Sequence, residues 1–236
     1  MSRQQTYRLY GWVKFVLPLC LLTLLPFSGR AQSEPEYRLE LGAAVGAVSY
    51  QGDFNGQLFK DVQPMFSLVA KYKPSPRMAA AFSVGYGTLK GSSANEPTYY
   101  PDVKDYSFKT NIVDVGVRME YNFWPFGTGQ EYRGAQRLTP YILIGIGAVI
   151  AKPDKTEVGI SVPIGGGIKY KAGQRWNMTL EWAMHFSGND RLDGKEDPYG
   201  IKRSGLFKNT DCYSQLRLSL TYDLWAKCKV CHNDRD

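Results

Sequence analysis

From Val158 to Lys171 the chain alternates between two kinds of side chain. Val158, Ile160, Val162, Ile164, Ile168 and Tyr170 share one parity. Gly159, Ser161, Pro163, Gly165, Gly167, Lys169 and Lys171 share the other. A period of two places these sets on opposite faces of a β-sheet. Seven further segments carry related patterns. Tyr37–Tyr50 presents Leu39, Leu41, Ala43, Val45 and Ala47, and Met65–Lys73 presents Phe66, Leu68, Ala70 and Tyr72. Met78–Leu89 presents Met78, Ala80, Phe82, Val84 and Tyr86. Phe108–Phe123 presents the odd positions from Val113, with Asp114, Arg118, Glu120 and Asn122 behind. Pro140–Ile150 is apolar on both parities, so its facing is open. Trp176–Phe186 and Tyr213–Trp225 present the even positions, from Trp176 and from Leu216. A strand tilted across a membrane needs roughly 9–11 residues, and these segments are long enough to cross one.

The connectors give an independent reading. In a membrane barrel, turns on one side are short and loops on the other are long. Gln51–Pro64, Lys90–Ser107, Ala151–Glu157 and Ser187–Cys212 are expected outside. Pro74–Arg77 and Ala172–Arg175 read as tight turns. Trp124–Thr139 is the misfit, long where a short turn is expected. An even number of strands returns both termini to the periplasm. The prediction is an all-β fold: an eight-stranded antiparallel transmembrane β-barrel with a filled polar lumen. Its lumen charges would be Glu40, Arg118, Glu120, Lys169, Lys171, Glu181 and Arg217, held as ion pairs because unpaired buried charge is costly. An eight-stranded barrel is only wide enough for side chains to fill, so passive diffusion is not the expected function. A soluble sandwich or lipocalin-type barrel is the alternative. Aromatics at strand ends (Tyr72, Tyr121, Phe123, Trp124, Tyr170, Trp176, Tyr222, Trp225) weigh against it, since membrane barrels carry such girdles.

The N-terminus changes the compartment. Arg3, Arg8 and Lys14 precede an apolar run from Phe15 to Phe27, followed by Ser28, Gly29, Arg30 and Ala31. This reads as a secretory signal peptide over residues 1–31, leaving the barrel at 32–225 and a periplasmic tail at 226–236. The apolar run is too short for a membrane helix. Four of the 29 basic residues lie in the leader, so the remainder carries 25 basic against 22 acidic residues, and nothing argues for nucleic-acid binding. Mean hydropathy is −0.34, as expected when only alternate strand residues face lipid. Outer-membrane lipids are therefore the first expected partners.

The candidate chemistry is thin. Cys228-Lys-Val-Cys231-His232 matches a haem-attachment pattern, but no apolar segment follows to wrap a haem. The tail offers at most three of the roughly four ligands that zinc needs. A local Cys228–Cys231 disulfide or a link to a periplasmic partner remains open, and Cys212 lies too far along the last strand to be their mate. His185 and Glu181 point to the lumen, where a hydrogen bond is expected rather than lipid chemistry. Asp190-Arg191-Leu192-Asp193 reads as a solvated acidic loop. No catalytic residue, cofactor or metal site is predicted, and the chain is not expected to be an enzyme.

Several stretches in order resemble a known family. These are Ser49-Tyr50-Gln51-Gly52-Asp53-Phe54-Asn55, then Thr139-Pro140-Tyr141 with Gly145-Ile146-Gly147. Pro163 to Tyr170 follows, then Lys171-Ala172-Gly173-Gln174-Arg175-Trp176-Asn177 and Glu181-Trp182. Together they resemble PorG, the small outer-membrane barrel of the type IX secretion system. Met184-His185 and Cys212 stand where that family tends to place an arginine and an aromatic residue. The resemblance implies a non-enzymatic part of a protein-export machine that docks a periplasmic ring of a PorK-type lipoprotein and a PorN-type partner. The docking candidates are Trp124, Phe126, Tyr132 and Arg133 in the long connector, with Cys228, Cys231 and His232 in the tail. The alternatives are a generic small outer-membrane barrel with a binding or membrane-stabilising role and, behind it, a lipid-modifying barrel enzyme.

Overall fold

The computed structural model describes residues 35–51, 60–92, 107–127, 135–152, 156–188 and 211–226. They form eight strands: β1 (Tyr37–Gln51), β2 (Gln63–Ser75), β3 (Met78–Ser92), β4 (Ser107–Asn122), β5 (Leu138–Lys152), β6 (Glu157–Lys171), β7 (Trp176–Ser187) and β8 (Cys212–Ala226). Each pairs antiparallel with its sequence neighbour, and β1 pairs with β8, which closes the barrel. The tail, Tyr132, Arg133 and the leader lie outside the described residues.

All eight predicted strands are present, and most run further than the apolar alternation indicated. β3 extends to Ser92, and β5 starts at Leu138 and ends at Lys152. At the loop end the outward side chains of these extensions turn polar, as at Lys90, Ser92 and Lys152, whereas Leu138 at the turn end is apolar and exposed. One connector differs from expectation. The fifth spans only 153–156, no longer than the sixth at 172–175, because β5 takes Ala151 and Lys152 and β6 takes Glu157. The loop end of the barrel is therefore marked by 52–62, 93–106 and 188–211. The turn end holds 76–77, 172–175, the connector 123–137, the start of β1 and the end of β8.

The outward parity is apolar and exposed. Phe66, Leu68, Phe82, Val117, Ile144, Ile160, Leu180 and Leu218 all face away from the barrel. In water this belt would be a very large apolar patch. In a bilayer it is the lipid face, and barrel closure satisfies every ladder hydrogen bond within the strands. β5 settles its facing here: Ile142, Ile144 and Ile146 point out, while Tyr141, Leu143 and Val149 are buried within.

The interior has two layers. Toward the loop end lies an apolar plug of Val48, Tyr50, Met65, Leu89, Phe108, Ile112, Val149, Ala151 and Tyr213. Tyr50 meets Phe108 edge to face at 4.9 Å between ring centroids, and its hydroxyl donates to Asp211. Toward the turn end the interior is ionic. Glycines on inward positions make room for it: a Cβ on Gly145 would lie 2.7 Å from Arg118 Cβ and 2.5 Å from the Val117 carbonyl oxygen. At the loop end the usual membrane pattern is inverted, with apolar groups inside and Thr88, Lys90, Lys109 and Asn111 outside. That segment is built like a soluble barrel.

Candidate functional site

Two regions compete as the functional site: the ionic lumen and the closed turn end. The lumen is assembled from inward positions on β1, β2 and β4 to β8. Glu120 lies between Lys169 Nζ at 2.6 Å and Lys71 Nζ at 3.4 Å, with Arg118 Nε at 3.7 Å. Glu181 pairs with Arg217, accepts a hydrogen bond from the Tyr141 hydroxyl at 2.6 Å, and lies 3.6 Å from Arg118 Nε. Asp223 holds Lys73 and, at 2.5 Å, Lys171. Glu40 pairs with Lys73 at 3.3 Å and accepts from the Thr221 hydroxyl. Lys169 also donates to Asn122 at 2.8 Å and sits 4.5 Å from the Tyr141 ring centroid.

All seven charges predicted for the lumen are buried and paired there. Lys71, Lys73, Asp114 and Asp223 join them. The same parity rule selects those four, so the signal for them was present. Desolvating such ions costs several kcal/mol apiece unless partners compensate; here all but Asp114 form an ion pair, and Asp114 accepts a hydrogen bond from the Tyr213 hydroxyl. The network rigidifies the interior and fills it.

His185 does not make the expected lumen hydrogen bond. Its ring stacks on Tyr213 at 4.6 Å, with Nδ1 3.5 Å from Asp114 Oδ2, and neither ring nitrogen has a hydrogen-bond partner. The Tyr213 hydroxyl has taken that oxygen, donating to it at 2.5 Å. Glu181, four residues back, belongs to the arginine cluster instead. A cavity with room for about one water molecule lies beside His185, lined by Ser83, Asp114, Arg118 and Ser161. His185 and Asp114 are both buried in the barrel interior.

The described parts of the long fourth connector are tied to the turn end by backbone hydrogen bonds. The Asn122 N–H donates to the Arg77 carbonyl at 2.7 Å, and the Phe126 N–H to the Pro76 carbonyl at 3.0 Å. The Gln136 N–H returns to the Pro125 carbonyl at 2.8 Å, and the Lys171 N–H donates to the Arg137 carbonyl at 2.7 Å. The Trp124 N–H donates to the Thr139 hydroxyl at 3.0 Å. Phe126 is only 7% exposed, with its ring 6.0 Å from Lys171 Nζ. Its side chain caps the ionic lumen rather than standing free for a partner. Trp124 stays 43% exposed. Of the docking candidates, these two are brought to the turn end. Tyr132, Arg133, Cys228, Cys231 and His232 lie outside the described residues. Cys212 opens β8 at the loop end, so the whole of that strand separates it from the start of the tail.

Around the same end runs an exposed ring of Tyr72, Tyr121, Phe123, Tyr170, Trp176 and Trp225. Trp176 meets Tyr222 edge to face at 5.1 Å. Trp225 has a φ of 54°, a left-handed backbone for a bulky residue. It faces outward, although its parity is inward. This is an interfacial aromatic belt.

Residues 16–233 match the family model described as "Domain of unknown function (DUF6089)". The chain belongs to that family. None of the curated proteins compared with it matches. Among solved structures, the Neisserial surface protein A NspA is similar at 10% identity and a TM-score of 0.49, covering 79% of this chain and 97% of that one. OprG of Pseudomonas aeruginosa is similar at 10% identity and a TM-score of 0.46, covering 83% and 99%. Ail of Yersinia pestis is similar at 14% identity and a TM-score of 0.44, covering 81% and 99%. The DUF6089 chain thus shares low sequence identity with each of these barrels.

Proposed function

We propose that this DUF6089 chain is a non-enzymatic outer-membrane mount. On this reading it holds a binding surface at the membrane without conducting through its barrel. The observation that carries this is the filled interior. An apolar plug and an ion-paired layer follow one another along the axis, and Phe126 caps the turn end. The buried position of His185 supports the non-enzymatic part of the reading.

In its finer form, the surface is the turn end, facing the periplasm, and the occupant is a secretion ring of the PorK and PorN type. The resemblance to PorG supports this. So does the fourth connector, which is long where a bare barrel needs only a short turn and is anchored by backbone hydrogen bonds. The test uses native membranes and two variants: deletion of Lys227–Asp236, and replacement of residues 128–134 by a Gly-Ser linker. Loss of ring co-purification and of cargo secretion, at unchanged barrel abundance, is the expected result. Retention of both by the two variants would leave only the generic binding or membrane-stabilising barrel.

A further inference from the structure

The outward parity of all eight strands carries charge at three positions only: Lys90 on β3, Lys109 on β4 and Lys152 on β5. The three strands are consecutive in the barrel, and all three lysines stand at the loop end. Lys90 and Lys109 are direct cross-strand partners. Lys152 is paired with Asn111, two residues from Lys109 on the same face. Side chains directly opposite one another start about 5 Å apart, where like charges repel. Among the described residues, the acid that reaches this patch is Asp61, 3.4 Å from Lys90. Lys109 and Lys152 form no ion pair there, and all three are exposed.

Their height is specific. Below them the last outward apolar residues are Tyr86, Val113 and Ile150. Lys152 lies two residues beyond Ile150, and Lys90 and Lys109 lie four beyond theirs. At about 3.3 Å per residue along a tilted strand, the ammonium groups stand at or just above the edge of the lipid belt, where lipid phosphates lie. The opposite interface has an aromatic ring at the corresponding outward positions and no lysine. The exposed cations of the turn end, Arg77, Arg137 and Arg175, lie in connectors, whereas these lysines cluster on the strands' outward face, where their repulsion calls for an anionic occupant at that depth.

We propose that Lys90, Lys109 and Lys152 form a binding site for phosphorylated lipid headgroups of the leaflet at the loop end. The phosphate bridges neighbouring ammonium groups, while the acyl chains lie on the apolar face of β3–β5 below. The site depends on the membrane-spanning reading but not on the export role. Each lysine near a phosphate contributes roughly fivefold in affinity.

The full barrel, reconstituted in phosphatidylcholine nanodiscs doped with bisphosphorylated lipid A or with its dephosphorylated form, tests this by lipid retention in native mass spectrometry. The expected result is retention of the phosphorylated lipid more than tenfold above the dephosphorylated one. The triple substitution K90Q/K109Q/K152Q should lose that preference, and K90R/K109R/K152R should keep it. Arg175→Gln, at the other end, should leave it unchanged, and millimolar inorganic phosphate should not compete. Equal retention of the two lipids by the wild-type barrel overturns the proposal, as does an undiminished preference in the glutamine triple. Full displacement by inorganic phosphate would assign the patch to small anions and also overturn it. Nanodiscs contain no ring components, so these outcomes leave the export reading untouched.

Discussion

Glu120 shows how single residues hold the interior together. Its carboxylate faces Lys71, Lys169 and Arg118 and is buried. Replacing it by alanine leaves three buried cations short of a counter-charge. Glu120→Ala should destabilise the barrel by about 3–5 kcal/mol, the range for breaking a buried pair from one side, read by urea unfolding from lipid vesicles. A change below about 1 kcal/mol would mean that water reaches the network. Tyr213→Phe is a milder probe. It removes the donor on Asp114 and should cost about 1–3 kcal/mol, while freeing a carboxylate oxygen for His185.

At the scale of the element, each strand crosses two environments. Outward residues on β5 pass from Ile142, Ile144 and Ile146 to Lys152, and on β4 from Val117 to Asn111 and Lys109. An arginine scan of outward positions should trace this boundary. Ile144→Arg, near mid-depth, is expected to cost about 2–4 kcal/mol, and Asn111→Arg about 0–1 kcal/mol. Equal costs at both would remove the argument for a membrane boundary below Asn111. Much of the strand pattern was legible beforehand, because a half-lipid, half-lumen strand must alternate. Pro140–Ile150 was not. Tyr141, Leu143, Val149 and Ala151 are apolar and inward, packing into the two interior clusters, so both parities are apolar for different reasons. The inversion at the loop end was hidden in the same way. Phe108 and Ile112 share the parity of Asp114 and Arg118, and only the three-dimensional level tells plug from ion network. The capping role of Phe126 depends on Pro76, fifty residues away, which no local pattern reveals. The surface position of Trp124, by contrast, followed from its place just after an interfacial strand end.

On the scale of the whole molecule, the two ends differ in chemistry. One carries an aromatic belt, tight turns and a strapped lid; the other carries lysines, long loops and an apolar plug. Such asymmetry suits a component with a fixed orientation that presents different surfaces to the two sides of a membrane. Conductance of the purified barrel in planar bilayers separates a closed mount from a conduit. Insertion without stable ohmic current is expected, and the same silence after Phe126→Ala, because the ion-paired layer and the apolar plug remain. A steady, voltage-independent current from the wild-type barrel would contradict the closed mount.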